Sequence, residues 1–279
     1  MNGDSKKALT LFDLVSICTG QVIGVGVVTI IGLAISVTGM SAWLAFGVSV
    51  ILGLVSITPF IFLSSALVLK GGEYTIVLNM LGERAAGIYA VSYVVQCLSL
   101  SLMGGSMGSY VVSVFSQADA RLAGILSITF FYVLNLLGIR VMVRLQRVLT
   151  AVLILALAAF MAVGLFRIGP ETLHVTGPDF FAGGAGGFMN AVSMYAYSTY
   201  GQYMAINFSK DAKNPRRDVP LAILIASGII LVLYVGVAVV ACGVLPLVKV
   251  AGKPLTLVAG ELFPGLWFPV FILCGPLLA

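Results

Sequence analysis

The sequence has 279 residues, of which 60% are hydrophobic and only 9% charged. A soluble domain carries about a quarter charged residues, so this composition excludes an ordinary water-soluble protein and makes lipid the solvent. The net charge of +5 would suit a nucleic-acid binder, but the positions of the basic residues assign it to membrane topology instead.

At about 20 residues per crossing, the length allows about seven or eight spans with short loops. Residues 1–10 read as a short polar cytoplasmic N-terminus, with no cleavable signal peptide. Span 1 is expected from Leu11 to Val37, and span 2 from Ala42 to Leu69, with Pro59 inside it. The polar stretch Lys70-Gly71-Gly72-Glu73-Tyr74 and then Gly82-Glu83-Arg84 lead to span 3, Ala85 to Phe115. Span 4 covers Ala123 to Ile139, and span 5 covers Val148 to Phe166. An external loop, 167–184, holds Pro170, His174 and Pro178; His174 reads as a solvated side chain. Span 6 follows from Ala185 to Phe208, then a basic loop from Lys210 to Asp218, then span 7 from Val219 to Leu245. After Lys249, Lys253 and Glu261, an eighth apolar run extends from Leu262 to Ala279. All of these are expected to be helices, because open strands leave backbone groups unpaired in hydrocarbon and the runs are too continuous for barrel strands.

Basic residues favour the cytoplasmic side. With the N-terminus inside, the inner face holds Lys6, Lys7, Lys70, Arg84, Arg140, Arg144, Arg147, Lys210, Lys213, Arg216 and Arg217. The outer face holds only Arg121, Arg167, Lys249 and Lys253. The four cysteines, Cys18, Cys97, Cys242 and Cys274, lie in apolar runs without a CxxC pair and read as buried hydrophobes. The chain ends inside its eighth apolar run, which reads as a C-terminally incomplete sequence; the alternative is a seven-span protein with a re-entrant tail.

Span 1 contains Gly20-Gln21-Val22-Ile23-Gly24-Val25-Gly26. Each glycine weakens a helix by about 1 kcal/mol. In lipid, irregular backbone persists only where protein or a cavity covers it. Alone, the run favours close helix packing through small residues over a break that binds ligand. Span 6 alters the balance. Its stretch Tyr195-Ala196-Tyr197-Ser198-Thr199-Tyr200-Gly201-Gln202-Tyr203 is unusually polar for mid-membrane and has a glycine near its centre. Spans 1 and 6 are five apart, the interval at which inverted five-helix repeats place their two broken helices. Elsewhere, Gly104-Gly105-Ser106-Met107-Gly108 in span 3 reads as a packing surface. Asp13 and Asp218 are placed to cap spans 1 and 7, with Pro220 near the first turn of the latter.

With these motifs in place, the chain resembles the amino acid–polyamine–organocation superfamily of permeases. Gly20 to Val27 is similar to the family's first-helix GxxIGxGI/V signature. Lys70 to Tyr74 looks like its GG-x-Y element, and Lys213-Asn214-Pro215-Arg216-Arg217-Asp218-Val219-Pro220 resembles its K-N-P-x-R-x-[IV]-P loop. The resemblance runs over essentially the whole chain. It implies an all-α transporter bundle of the inverted-repeat type with discontinuous helices 1 and 6. The first repeat would be 11–166, and 185–279 an incomplete second repeat.

It also implies transport of an amino acid or related amine. The substrate carboxylate would rest on backbone N–H groups of Val22, Ile23, Gly24, Val25 and Gly26. The ammonium would meet carbonyls from Tyr197 through Ser198, Thr199 and Tyr200 to Gly201, with Tyr197 as an aromatic gate. Two departures bear on coupling: Tyr203 stands where many members carry a glutamate, and Leu153 where several carry a lysine. An intramembrane carboxylate is the default proton relay; without one, proton coupling and a strongly cationic substrate are disfavoured, so a neutral amino acid is expected.

No cofactor or metal is expected. The partners are a small-molecule substrate and the bilayer of a cell (plasma or inner) membrane, with no nucleic acid; coupling ion and oligomeric state are left open. Competing readings are weaker. An intramembrane enzyme needs a nucleophile with its base or a metal motif, and the spans hold no HExxH, second histidine or aspartate pair. A seven-helix receptor would place its N-terminus outside, and span 7 has no lysine for retinal. A pore would need a filter motif or a charge ring. An inert membrane fragment, or a non-permease seven-span protein, is the remaining alternative.

Overall fold

The computed structural model describes residues 9–23, 25–66, 72–98, 100–114, 117–169, 177, 180–253, 255–265 and 267–274. Gly24, His174, Pro170, Pro178 and the final residues 275–279 lie outside them. The described residues are almost entirely helical. In chain order the helices are α1 (Leu11–Val22), α2 (Val25–Thr38), α3 (Ala42–Ala66), α4 (Gly72–Cys97), α5 (Leu100–Val114) and α6 (Ala120–Leu136). They continue with α7 (Ile139–Leu165), α8 (Gly184–Thr199), α9 (Pro215–Gly243), α10 (Leu247–Val250), α11 (Thr256–Leu262) and α12 (Trp267–Cys274). Two 3₁₀ segments, Gly39–Ser41 and Tyr200–Asp211, lie between helices. Among the described residues, three stretches, Ile30–Leu63, Val141–Leu165 and Pro215–Gly243, are long and apolar enough to cross a membrane. The first joins α2 to α3 through the short 3₁₀ turn.

Several expected boundaries move. Span 3 is two helices, α4 and α5, rather than one run from Ala85. α4 starts at Gly72, and Gly82, at φ 83 and ψ 179, divides it into two arms. Between α4 and α5 the Ser101 hydroxyl donates to the Leu98 carbonyl at 2.7 Å; a local hydroxyl that competes for backbone carbonyls favours a helix end. Span 5 begins earlier than expected, because α7 takes in Arg144 and Arg147. α9 begins at Pro215, so Asp218 lies inside its first turn and is not the cap. Asn214 precedes the helix, and its carbonyl accepts the Arg217 and Asp218 amides.

Asp13 does serve the start of α1, from the third helical position. Its Oδ2 accepts from the Thr10 amide at 2.9 Å, and the Thr10 hydroxyl accepts from the Asp13 amide at 3.4 Å. This is a capping box.

The chain forms two compact units. The first comprises residues up to Cys18, Ile57–Arg147 and Tyr203–Ile225. In it Leu9 bridges Ala212: the Leu9 amide donates to the Asp211 carbonyl at 3.0 Å, and the Lys213 amide to the Leu9 carbonyl at 2.9 Å. Arg147 pairs with the buried Asp13 and lies 5.7 Å over the Phe12 ring. Glu73 is held three ways: Asn207 Nδ2 donates to its carboxylate at 3.0 Å, Tyr89 at 2.7 Å, and its own amide donates to Asn207 Oδ1 at 3.2 Å. α5 and α6 touch through Gly104, Gly108 and Gly124, where an added Cβ would collide with the opposite helix. Gly104 and Gly108 of span 3 are therefore packing positions, whereas a Cβ on Gly105 would meet nothing within 4 Å.

The second unit comprises Thr19–Ser56, Val148–Gln202 and residues from Ala226 onward. Its core holds Phe46, Phe160, Phe180, Tyr195 and Tyr234, all fully buried. α2 packs on α8, where Gly187 presses against the Val37 carbonyl. The Gly252 amide donates to the Gly32 carbonyl at 2.8 Å, which ties the segment before α11 to α2.

Candidate functional site

Span 1 is interrupted where its glycines cluster. α1 stops at Val22 and α2 starts at Val25. The Ile23 amide still closes a helical bond to the Thr19 carbonyl at 2.8 Å. Val22 and Ile23 are buried. Val25 and Gly26 are the first residues of α2, whose leading N–H groups have no partner inside their own helix. Such a helix start carries partial positive charge and is a ready anion site.

Span 6 changes character in its middle. α8 ends at Thr199, and the next twelve residues, Tyr200–Asp211, wind as a 3₁₀ helix. Runs of this kind longer than about four residues are uncommon and often mark a hinge. The sequence offers a local cause: Ser198, Thr199 and Gly201 all form poor helix interior. The 3₁₀ segment follows α8 without a gap, so i→i+3 bonds take over from the α-helical ones at its last carbonyls. Ala196 O also accepts from the Thr199 hydroxyl at 3.2 Å.

The two interruptions meet. A Cβ placed on Gly201 would lie 2.7 Å from Gln21 Cγ and 3.1 Å from the Gln21 carbonyl carbon. Only a glycine admits that approach without a shift. Polar side chains flank both residues, Gln21 and Gly201, along the chain. Thr19 Oγ1, Ser198 Oγ and Gln202 Nε2 are buried without a hydrogen-bond partner among the described residues. Gln202 Oε1 accepts from Ser227 of α9 at 3.2 Å. Thr199 and Gln202 face Gly53 of α3.

Of the expected site residues, Val22, Ile23, Val25, Gly26, Ser198, Thr199 and Gly201 thus belong to the two interruptions. Tyr197 is 64% exposed. Tyr200 opens the 3₁₀ segment. Gly24 lies outside the described residues. Tyr203, in the first unit, is buried and stacks on Phe60 at 5.8 Å between centroids. Leu153 is buried in α7. Cys18 and Cys242 are buried, and the Cys18 sulfur accepts the Ala205 amide at 3.3 Å; Cys97 is exposed on α4, against the expectation for a buried hydrophobe. No cluster of His, Cys, Asp or Glu among the described residues could hold a metal.

Sequence reasoning missed the neighbours that support the break. Tyr234 of α9 donates to the Val22 carbonyl at 2.8 Å. Phe46 of α3 lies between Tyr234 and Tyr195, with ring centroids 4.7 and 3.9 Å away. A tyrosine inside an apolar span was the available signal, because a buried phenol needs a partner.

Long apolar helices, two of them interrupted where they meet, define a helical integral membrane protein. A family model described as amino acid permease matches residues 9–275, and the chain belongs to that family, within the amino acid–polyamine–organocation superfamily. Among its relatives is a branched-chain amino acid permease of Bacillus subtilis, 25% identical over 277 residues, covering 91% of this chain and 58% of the relative. An uncharacterized protein of Methanocaldococcus jannaschii is 25% identical over 271 residues, covering 94% of this chain and 62% of the relative. An inner membrane transport protein of Escherichia coli is 23% identical over 251 residues, covering 85% and 56%. The chain thus spans about 60% of the length of these three relatives.

Proposed function

We propose that this chain carries the substrate-binding helices of a secondary transporter that moves a neutral amino acid by alternating access. The observation that carries the reading is the contact of the span 1 interruption with the span 6 interruption at Gln21 and Gly201. In this reading the substrate carboxylate lies on the free N–H groups at the start of α2, Val25 and Gly26 first among them. The Ile23 amide, bonded to Thr19, is not free in this conformation. The ammonium meets the carbonyl end of α8, with Ser198 and Thr199 beside it.

The positive start of one half-helix and the negative end of another suit a zwitterion. The sequence has no Asp, Glu, Lys or Arg between Thr19 and Ser56, or between Gly184 and Gln202. An extra side-chain charge on the substrate would therefore meet no counter-ion in those stretches, which favours a neutral substrate. The name of the Bacillus relative, a branched-chain amino acid permease, agrees with that choice.

The five-span interval between the interruptions supports an inverted-repeat arrangement, with residues 11–166 as the first repeat and 185–279 as part of the second. The basic-residue bias supports a cytoplasmic N-terminus in a cell membrane. Counterflow into proteoliposomes holding the full-length protein tests the proposal. The expected result is saturable uptake of radiolabelled leucine or a similar neutral amino acid. Preference for arginine or lysine, channel-like conductance, or no saturable uptake would contradict it.

A further inference from the structure

Tyr234 is fully buried in α9, and no charged group lies near it along the apolar stretch from Leu221 to Gly243. A phenylalanine would fill the same space without a polar atom. Burying the hydroxyl is favourable only when it is hydrogen-bonded. Its partner is the carbonyl of Val22, the last residue of α1, at 2.8 Å. In an unbroken helix that carbonyl would accept the Gly26 amide, four residues on. Instead it faces a side chain from another span. The ring is fixed as well: Phe46 packs on it at 4.7 Å and stacks on Tyr195 at 3.9 Å, one turn before the end of α8.

We infer that Tyr234 is a positioning residue that holds helix 1 open, by taking the Val22 carbonyl so that the Gly26 amide stays available to the substrate. The inference rests on the transporter reading above. The Tyr195–Phe46–Tyr234 stack links the end of α8 to the end of α1, so one rigid aromatic column sets both edges of the site. The Ile23 amide belongs to the same planar peptide as the Val22 carbonyl and bonds Thr19. That peptide is therefore fixed on both sides, and the helix ends at a defined residue.

The test uses the detergent-solubilised chain and Tyr234→Phe, which keeps the ring and its stack. Val22–Ile23 and Val50–Ile51 are the two Val–Ile pairs in the sequence. Isotope labels at valine carbonyl carbons and isoleucine amide nitrogens therefore isolate the Val22 carbonyl by magnetic resonance, with Val50 as internal control. The substitution is expected to move the Val22 carbonyl resonance upfield and leave Val50 in place. Loss of one neutral hydrogen bond's worth of positioning should weaken leucine binding about fivefold. An unmoved Val22 resonance overturns the inference, as does a moved resonance with unchanged affinity. Absence of leucine binding to the unsubstituted chain overturns the transporter reading and this inference together; binding that persists unchanged in Tyr234→Phe overturns the inference alone.

Discussion

Gly72 shows how much one residue carries. Its φ is +57, and a Cβ there would run into the Asn207 side chain that holds Glu73. The left-handed conformation alone costs a non-glycine residue about 1–2 kcal/mol. Gly72→Ala is therefore expected to destabilise the detergent-solubilised chain by at least that amount in thermal denaturation, and by more than Asn207→Ala. Equal stability of Gly72→Ala and the unsubstituted chain would contradict this. Thr10 and Asp13 make a second case. Each satisfies the other's amide, so Thr10→Ala is expected to cost about 1 kcal/mol, and Asp13→Ala, which also loses the Arg147 pair, more than that. The double change should cost clearly less than their sum, and full additivity would show that the capping box is not a unit. The GG-x-Y stretch was visible in the sequence, and so was Asp13 as a capping candidate. Their partners Asn207 and Arg147 were not, since each lies 134 residues away and no local pattern announces a tertiary contact.

Among the elements, the two interrupted spans were the most legible feature. Three glycines within seven residues of span 1, and a polar, glycine-containing centre in span 6, both violate what a lipid-embedded helix prefers. Such violations are expected at functional or strained sites. The division of span 3 was not read from the sequence, because Gln96, Ser99 and Ser101 lie within an otherwise continuous apolar run with no glycine or proline to mark an end. Contact between the interruptions yields a paired prediction. Gly201→Ala pushes a methyl into Gln21, and overpacking of about 1–3 kcal/mol should weaken leucine binding about tenfold. Gly53→Ala, in α3, meets Thr199 Oγ1 at 3.4 Å, which the neighbouring side chain can absorb. It should leave affinity within about threefold, since the nearest atom is a side-chain hydroxyl at the edge of ordinary van der Waals contact. Titration of both variants with leucine separates them; equal affinities would show that the approach at Gly201 does not shape the site.

For the molecule as a whole, composition alone identified the solvent, and the basic-residue bias gave an orientation. That orientation predicts that, with the native cysteines replaced, Lys253→Cys is labelled by an impermeant maleimide in intact cells while Lys210→Cys is labelled only after lysis. The reverse pattern would invert the topology. The central claim is that the paired interruptions form a site for the carboxylate and ammonium of an amino acid. It is tested most directly by the thermal stabilisation of the purified chain with leucine beside leucinamide, which keeps the ammonium and the side chain but replaces the carboxylate. A ligand that binds only the folded state at a hundredfold excess over its Kd stabilises by about 2.7 kcal/mol. A saturable rise in melting temperature is expected with leucine and none with leucinamide; equal rises with both, or no rise with leucine, would rule out a carboxylate site at the interruptions.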